Sequence, residues 1–269
     1  MNWKTASQLF FALTFVALGV IGLLSGTFAP IWAGVPKTLP DRQMLAYLST
    51  IVSLACGAGL LVKRTTAPAA LLLFVVLLVW TLLFKFPLII KQPLVEGSYQ
   101  TNGENAVLIA AALVLYGPVA NHGPNGVLNF LGKSTGLRIG YVLYGLALIA
   151  FGLSHFAYLE LTAPLVPAWL PGPVFWAYLT GSIYLVAGIL LLSGFGARLG
   201  AVLAAAQIAL ITVLVWGPMV VKGGLTAFHW QETVVSWTLT AAALVIAASF
   251  ESRSWIVQKS AAGRSALAR

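Results

Sequence analysis

The sequence predicts an all-α, polytopic membrane protein with about eight transmembrane helices, arranged as two parallel four-helix bundles. Charged residues make up only 8% of its 269 residues, whereas a soluble domain carries about a quarter. Apolar runs such as 67–84 and 199–216 are long enough to cross a bilayer. These runs are continuous and do not alternate with polar residues, which favours helices over the strands of a membrane barrel.

A motif recurs along the chain at a spacing of 131 residues. Val-Pro-x-x-Leu-Pro occupies 35–40 and again 166–171. Ala-Tyr-Leu followed by a hydroxyl residue occupies 46–49 and again 177–180. An internal duplication of this kind predicts two copies of one helical unit in the chain.

Apolar runs separated by polar residues predict eight spans. They cover residues 6–25, 44–62, 67–90, 104–120, 138–157, 174–193, 198–221 and 231–249. Because each half contains four spans, the two halves are expected to have the same orientation. The predicted units are 1–120 and 138–250, joined by a cytoplasmic linker at 121–137 and followed by a basic cytoplasmic tail at 251–269.

The basic residues predict which side of the membrane holds the termini. Ten lie on the side of the two ends and five on the other: the ten are Lys4, Lys63, Arg64, Lys133, Arg138, Arg198, Arg253, Lys259, Arg264 and Arg269. Basic loops favour the cytoplasm, so both termini are expected there, in a multi-pass protein of the cell membrane, the inner membrane in a bacterium. No basic patch is interleaved with aromatic residues, so the expected partner is the lipid bilayer and not nucleic acid.

The segment after the first helix of each half is rich in proline and tryptophan. These segments are 26–43 and 158–173, and the second contains Trp169. Proline opposes regular helix, and tryptophan favours the headgroup region of a bilayer. One interpretation is a pair of amphipathic segments on the outer leaflet. The other is a lid over a pocket for an amphipathic small molecule such as a quinone or a lipid, with Trp169 among its contacts.

Ionisable residues at the outer membrane boundary are the main candidates for a site, because such groups are costly inside a membrane and often functional. Lys85 ends one apolar run and Glu104 opens the next; Lys222 and Glu232 stand in nearly the same relation in the second half. Each pair predicts an ion pair that joins the third and fourth helices of its half. The alternative is a proton relay or a ligand anchor.

Two histidines lie near the same boundary. His155 ends the fifth run and His229 precedes Glu232. If their helices are neighbours, the three side chains converge at the outer mouth of the second half, where they would hydrogen-bond each other or a ligand head group. The spacing is not that of a metal-binding motif, so no metal is predicted. The single cysteine, Cys56, permits no intrachain disulfide.

Several short segments carry a resemblance to a known family. Glu104 to Leu113, followed by Gly117-Pro118, resembles the last helix of DoxX-like membrane proteins. The segments 152–156, 166–171 and 178–181 resemble the opening of the same family's unit. The chain is therefore identified as a tandem, two-copy DoxX-like protein. Family members often carry an acidic residue shortly after the position of Gly181, where this chain has Tyr184.

The resemblance implies three functional hypotheses. The family includes a membrane subunit of a thiosulfate:quinone oxidoreductase, which implies a membrane subunit of a quinone-linked redox system with a redox protein partner and a quinone as ligand. The dithiol of the related four-helix quinone-coupled enzymes is missing here. The second hypothesis is a non-catalytic scaffold or assembly factor, and the third is a transporter of a small solute.

Overall fold

The computed structural model describes residues 2–117, 130–132 and 134–251, and the regular structure in these residues is entirely helical. The eight long helices are α1 Trp3–Ser25, α2 Arg42–Leu61, α3 Thr66–Lys91, α4 Glu96–Tyr116, α5 Ser134–Ala157, α6 Pro173–Ser193, α7 Ala197–Lys222 and α8 Ala227–Ser249. Most of the predicted linker 121–137 and nearly all of the predicted tail 251–269 lie outside the described residues. The prediction of an all-α polytopic membrane protein is confirmed.

Seven of the described helices are long and apolar enough to cross a membrane, and α4 is the exception. Its first eight residues, 96–103, are mostly polar or glycine, and its apolar part follows from Ala106. The sequence analysis placed the start of this span at Glu104, which matches the change from polar to apolar residues. The helix itself begins two turns earlier.

Each long helix of the second half begins 131 residues after its counterpart in the first half. The paired starts are 3 and 134, 42 and 173, 66 and 197, and 96 and 227. The pentapeptide Ala-Ala-Ala-Leu-Val also occurs at 110–114 in α4 and at 241–245 in α8. The sequence analysis missed this match, although it has the same spacing.

Helices α3 and α7 each contain one π-helical turn, at Thr81–Lys85 and Thr212–Trp216. A proline follows two residues after each turn, Pro87 in α3 and Pro218 in α7. A proline inside a helix has no amide hydrogen to donate and its ring crowds the preceding turn. A wider turn relieves that crowding, so the two prolines account for the two π turns.

The last helix of each half lies at the centre of the molecule. Helix α4 packs against α3, α5 and α8, and α8 packs against α1, α4 and α7. Residues 107–114 of α4 are all buried, as a helix surrounded by protein should be. Small side chains at 110–112 and 241–243 suit close approach in a membrane. This central pair places the outer ends of α4 and α8 side by side.

Helices α5 and α6 are held close together by two pairs of facing glycines. A Cβ atom added to Gly188 would lie 2.8 Å from the carbonyl oxygen of Gly145, and one added to Gly152 would lie 2.9 Å from that of Gly181. Since a backbone oxygen cannot move aside, these positions require glycine. The contact fixes the end of α5, where His155 lies, against α6.

The two proline-rich segments are folded differently. In the first, the 3₁₀ turn Pro30–Trp32 is buried, with Trp32 0% exposed and its indole Nε1 donating to Ser53 Oγ at 2.9 Å. In the second, the 3₁₀ turn is Ala163–Leu165 and Trp169 is 67% exposed. The first segment is therefore part of the core, whereas the second lies over open space.

Candidate functional site

A polar cavity of about 390 Å³ lies where the outer ends of α4, α5, α7 and α8 meet beneath the two proline-rich segments. Four of the six candidate residues line it, namely Lys85, Glu104, His155 and Glu232. Its wall also includes residues from both halves, so it is shared between them. Because Glu104 and Glu232 lie near the N-termini of α4 and α8, these two helices run in the same direction.

Lys85 is held in place by three groups of α4. Its Nζ donates to Asn105 Oδ1 at 2.8 Å and to the Thr101 carbonyl oxygen at 3.4 Å, and it lies 3.8 Å from Glu104 Oε2. The side chain of Lys85 is only 1% exposed. The ion pair predicted between the third and fourth helices of the first half is therefore present, and all three ammonium hydrogens face partners within the chain.

The π turn and the adjacent asparagines explain why Lys85 is accommodated. Asn105 Nδ2 donates to Thr81 Oγ1 at 2.9 Å, and Asn102 Nδ2 donates to the carbonyl oxygen of Lys85 at 2.9 Å. A π turn disturbs the regular pairing of helix carbonyls, and Asn102 supplies a donor to one of them. Asn105 thus binds the first residue of the π turn with its amide nitrogen and the last with its amide oxygen.

The second half has no equivalent of this ion pair within the described residues. Lys222 is exposed at the end of α7, where it corresponds in spacing to Lys91 and not to Lys85. At 131 residues from Lys85 stands Trp216, and at that distance from Glu104 stands Val235. The predicted Lys222–Glu232 pair is wrong because the sequence analysis allowed shifts in spacing that the helices do not show.

Glu232 is the carboxyl group of the cavity that has no ammonium or guanidinium partner within the described part of the chain. The negative charge of Glu104 is close enough to act on Glu232 and also on Glu96. Both carboxylate oxygens of Glu96 are buried and have no hydrogen-bond partner among the described residues. Three carboxyl groups and one ammonium group therefore lie in or beside the cavity.

His155 lies on the cavity wall with its ring oriented by its own helix. Nδ1 is 2.8 Å from the carbonyl oxygen of Phe151, and the ring lies 5.5 Å from that of Tyr184. A carbonyl oxygen only accepts, so Nδ1 carries the hydrogen of this bond. In the neutral ring Nε2 is then an acceptor, and it is the nitrogen left for a ligand.

The other two candidates lie outside the lining of the polar cavity. The ring of His229 is 6.4 Å from that of Trp216, and its amide donates to Thr226 Oγ1 at the start of α8. Trp169 is exposed in the second proline-rich segment. His155 and Glu232 therefore share the cavity as expected from the sequence, whereas His229 contacts its wall from outside.

Several residues of the cavity were not predicted as site residues. Tyr158 hydroxyl accepts the Gly97 amide at 3.0 Å and so connects the segment after α5 to the start of α4. Tyr184 and Ser236 also line the cavity. Their hydroxyl groups are uncharged, and a hydroxyl in an apolar run gives no warning that it faces a site. Tyr184 carried one signal, since it occupies the position where DoxX-like proteins often have an acidic residue.

An apolar groove of about 370 Å³ adjoins the polar cavity between α6 and α7. It runs beneath the second proline-rich segment, whose Val166, Pro167 and Leu170 form part of its wall. The groove and the cavity share five residues: His155, Thr162, Leu165, Ile211 and Trp216. The two spaces are therefore continuous, one polar and the other apolar.

The corresponding region of the first half is filled by aromatic side chains. Trp80 packs against Trp32 at 5.1 Å, Phe84 at 4.9 Å and Phe28 at 5.6 Å between ring centroids. At the positions of Trp80 and Phe84, helix α7 has Ile211 and Val215, which are smaller. This difference explains why the groove is open in the second half.

No group of three or more metal-ligating side chains close enough to hold an ion occurs in the described ranges. His155 and Glu232 are thus a pair of polar contacts in a cavity, without a third ligand nearby in the described residues. Cys56 is a free, buried thiol in α2. The chemistry that the site offers is hydrogen bonding and charge, next to an apolar channel.

Comparison with known proteins identifies one family. The family model described as DoxX matches residues 136–217, which include nearly all of α5, all of α6 and α7 as far as Gly217. The resemblance noted over 152–181 is therefore confirmed, and the one noted from Glu104 to Pro118 lies outside the matched range and stays a prediction. No curated protein and no solved structure matches the chain.

Proposed function

The chain is a DoxX-like membrane protein over residues 136–217, and we propose that it binds an amphipathic small molecule as the membrane subunit of a quinone-linked redox system. The observation that carries the proposal is the continuity of the polar cavity with the apolar groove. Their volumes, about 390 and about 370 Å³, lie in the range of small-molecule sites. A polar head would lie at His155 and Glu232, and an apolar tail would follow the groove.

The groove supports a membrane-soluble ligand because of where it opens. Its walls come from the faces of α6 and α7, including Leu203, Leu210 and Leu214. Leu210 and Leu214 are exposed on helices apolar enough to span a membrane. A ligand that is dissolved in the bilayer can therefore enter sideways from the lipid phase. A quinone has the required aromatic head and isoprenoid tail.

A tandem DoxX-like organisation also belongs to this proposal. The uniform spacing of 131 residues between paired helix starts, and the two Ala-Ala-Ala-Leu-Val segments, support two copies of one unit. We propose that the second copy kept an open ligand site and that the first copy is filled by Trp32 and Trp80. On this view the first unit supports the cavity mainly through Glu104 and Lys85.

The test is ligand binding by the purified protein in detergent micelles. Trp216 lines both spaces, so a bound quinone is expected to quench its fluorescence in a saturable way. His155→Ala and Glu232→Gln each remove one polar contact and should raise the dissociation constant by about tenfold. Trp216→Phe should reduce the amplitude of quenching and so assign the signal.

Glu160→Gln is the matched control for Glu232→Gln. Glu160 is exposed in the short helix Leu159–Thr162 at the same end of the molecule, and it lies outside both linings. The charge change is identical, so its quinone affinity should equal that of the unmodified protein. Equal affinities for all variants, or no saturable quenching, would reject the ligand site and leave the scaffold hypothesis as the better account.

A further inference from the structure

The hydrogen-bonding groups that face the polar cavity have an uneven balance of donors and acceptors. We infer that the site selects a head group that donates hydrogen bonds, and so takes the hydroquinone form of a quinone in preference to the oxidised dione. The inference rests on the proposed function, because it concerns the ligand of that same site. The argument proceeds from the strongest polar groups of the cavity wall.

Lys85 offers the cavity no free hydrogen. It carries three hydrogens and has three partners on α4, at 2.8, 3.4 and 3.8 Å. An ammonium group satisfied in this way holds α3 to α4 and stabilises Glu104. The one cationic side chain among the cavity residues is therefore not available to a ligand carbonyl.

His155 and Glu232 both present acceptors. The only hydrogen on the neutral imidazole is directed to the Phe151 carbonyl oxygen, which leaves the Nε2 lone pair for a ligand. Glu232 is a carboxylate without a cationic partner among the described residues, and an ionised carboxylate only accepts. A dione has carbonyl oxygens at both ends of its ring, so it would place acceptors against acceptors.

The hydroxyl groups beside His155 are used in the same way. Ser154 Oγ donates to the Phe151 carbonyl oxygen at 2.8 Å, and Thr162 Oγ1 donates to the Tyr158 carbonyl oxygen at 3.2 Å. Each has given its hydrogen to the backbone and retains lone pairs. The amides of Gln100 and Gln231 serve as donor or acceptor, so they adapt to either form of the ligand and do not decide between them.

A hydroquinone satisfies this wall because it has two hydroxyl groups. One would donate to His155 Nε2 and the other to Glu232 or an amide oxygen. An acceptor left facing another acceptor in a water-poor site loses its hydrogen bond without replacement, which costs far more than a bond gained. The expected preference for the reduced form is about tenfold in dissociation constant.

The experiment compares two probes that share a tail and differ in donors, decylubiquinol and decylubiquinone. Equilibrium dialysis of each against the full-length protein in micelles, under anaerobic conditions, gives both dissociation constants, and protein-free micelles correct for partition. We expect the quinol to bind about tenfold more tightly. For a two-electron couple, that preference raises the midpoint potential of the bound probe by about 30 mV.

Two variants test whether the acceptors cause the preference. His155→Phe keeps the ring volume and removes Nε2, so quinol affinity should fall about tenfold while quinone affinity is unchanged. Glu232→Gln keeps the shape and adds amide hydrogens, so the preference should shrink by improved quinone binding. Equal affinities for the two probes, or tighter quinone binding, would overturn the inference and leave the proposed site intact. Binding of neither probe would overturn the proposed function itself.

Discussion

Lys85 and Glu104 are two ionisable side chains buried at the end of an apolar helix pair. Removing one charge leaves the other without compensation in a water-poor interior. Lys85→Met should therefore lower the free energy of unfolding by about 3 to 5 kcal/mol, and Glu104→Gln should act in the same direction. The double variant Lys85→Met/Glu104→Gln should lose less than the sum of the two, because no charge is left unpaired.

The measurement is a double-mutant cycle of unfolding free energies in mixed detergent micelles. Lys91→Met is the control for the lysine, because Lys91 is exposed at the end of the same helix; it should change stability by less than about 0.5 kcal/mol. A strictly additive cycle would show that the 3.8 Å contact between Lys85 and Glu104 does not couple the two residues.

Individual residues of the site were predictable from the sequence when they carried charge. Lys85, Glu104, His155 and Glu232 were selected because ionisable groups are rare in membrane helices, and all four line one cavity. Tyr158 was not selected, because a tyrosine near a membrane boundary is common for reasons unrelated to a site. Trp169 was selected on composition alone, and composition does not say which way a side chain in a loop points.

At the scale of the element, helices α3 and α7 share a design and differ in what they bury. Both have a π turn two residues before a proline, and in both a hydroxyl at the first π position bonds to the last helix of its half, Thr81 with Asn105 and Thr212 with Ser236. The outward face carries Trp80 in α3 and Ile211 in α7. That one difference in side-chain size separates a filled core from an open groove.

Filling the groove should therefore abolish ligand binding without unfolding the protein. Ile211→Trp gives α7 the side chain that α3 has at the corresponding position, and it occupies the space where the groove joins the cavity. We expect quinone affinity to fall by more than tenfold and thermal stability to stay unchanged or rise, because the indole gains apolar contacts. The measurements are tryptophan quenching, with the added indole accounted for, and thermal unfolding.

Ile51→Trp is the matched control for this substitution. Ile51 is exposed on α2 and makes the same change of side chain far from the groove, so quinone affinity should remain at its original value. If Ile211→Trp bound quinone as well as Ile51→Trp does, the groove would not hold the ligand tail.

The elements show how far a single sequence goes. The helices and their order follow from the apolar runs, and the two π turns are explained by Pro87 and Pro218, a signal that was present but not used. Packing partners were harder to predict, since periodicity gives no direction to helices that are apolar on all sides. The placement of α4 against both α5 and α8 is a property of the assembled molecule.

For the whole molecule, the central α4–α8 pair is what turns two units into one site. Glu104 lies eight residues into α4 and Glu232 five residues into α8, so the two carboxyl groups are one turn apart in depth. Two identical units would place equivalent residues at the same depth. The offset lets Lys85 neutralise one carboxylate and leaves the other facing the cavity, which a strictly symmetric pair would not allow.

The side of the membrane that the cavity faces follows from the positive-inside rule and is open to a direct test. In a Cys56→Ala background, Arg64→Cys reports on the α2–α3 connection, and Gln92→Cys and Lys222→Cys report on the opposite ends of α3 and α7. All three positions are exposed. An impermeant maleimide added to intact bacterial spheroplasts should label Gln92→Cys and Lys222→Cys, and it should label Arg64→Cys only after the membrane is permeabilised.

The second outer position makes this labelling experiment more informative than tagging the ends. Glu104 and Glu232 share one cavity, so α4 and α8 run in the same direction, and the two reporters that precede them should behave alike. Labelling of Arg64→Cys alone in intact spheroplasts would place the cavity on the cytoplasmic face, where a redox partner would have to be a cytoplasmic protein. Labelling of Gln92→Cys without Lys222→Cys would contradict the common orientation of the two halves.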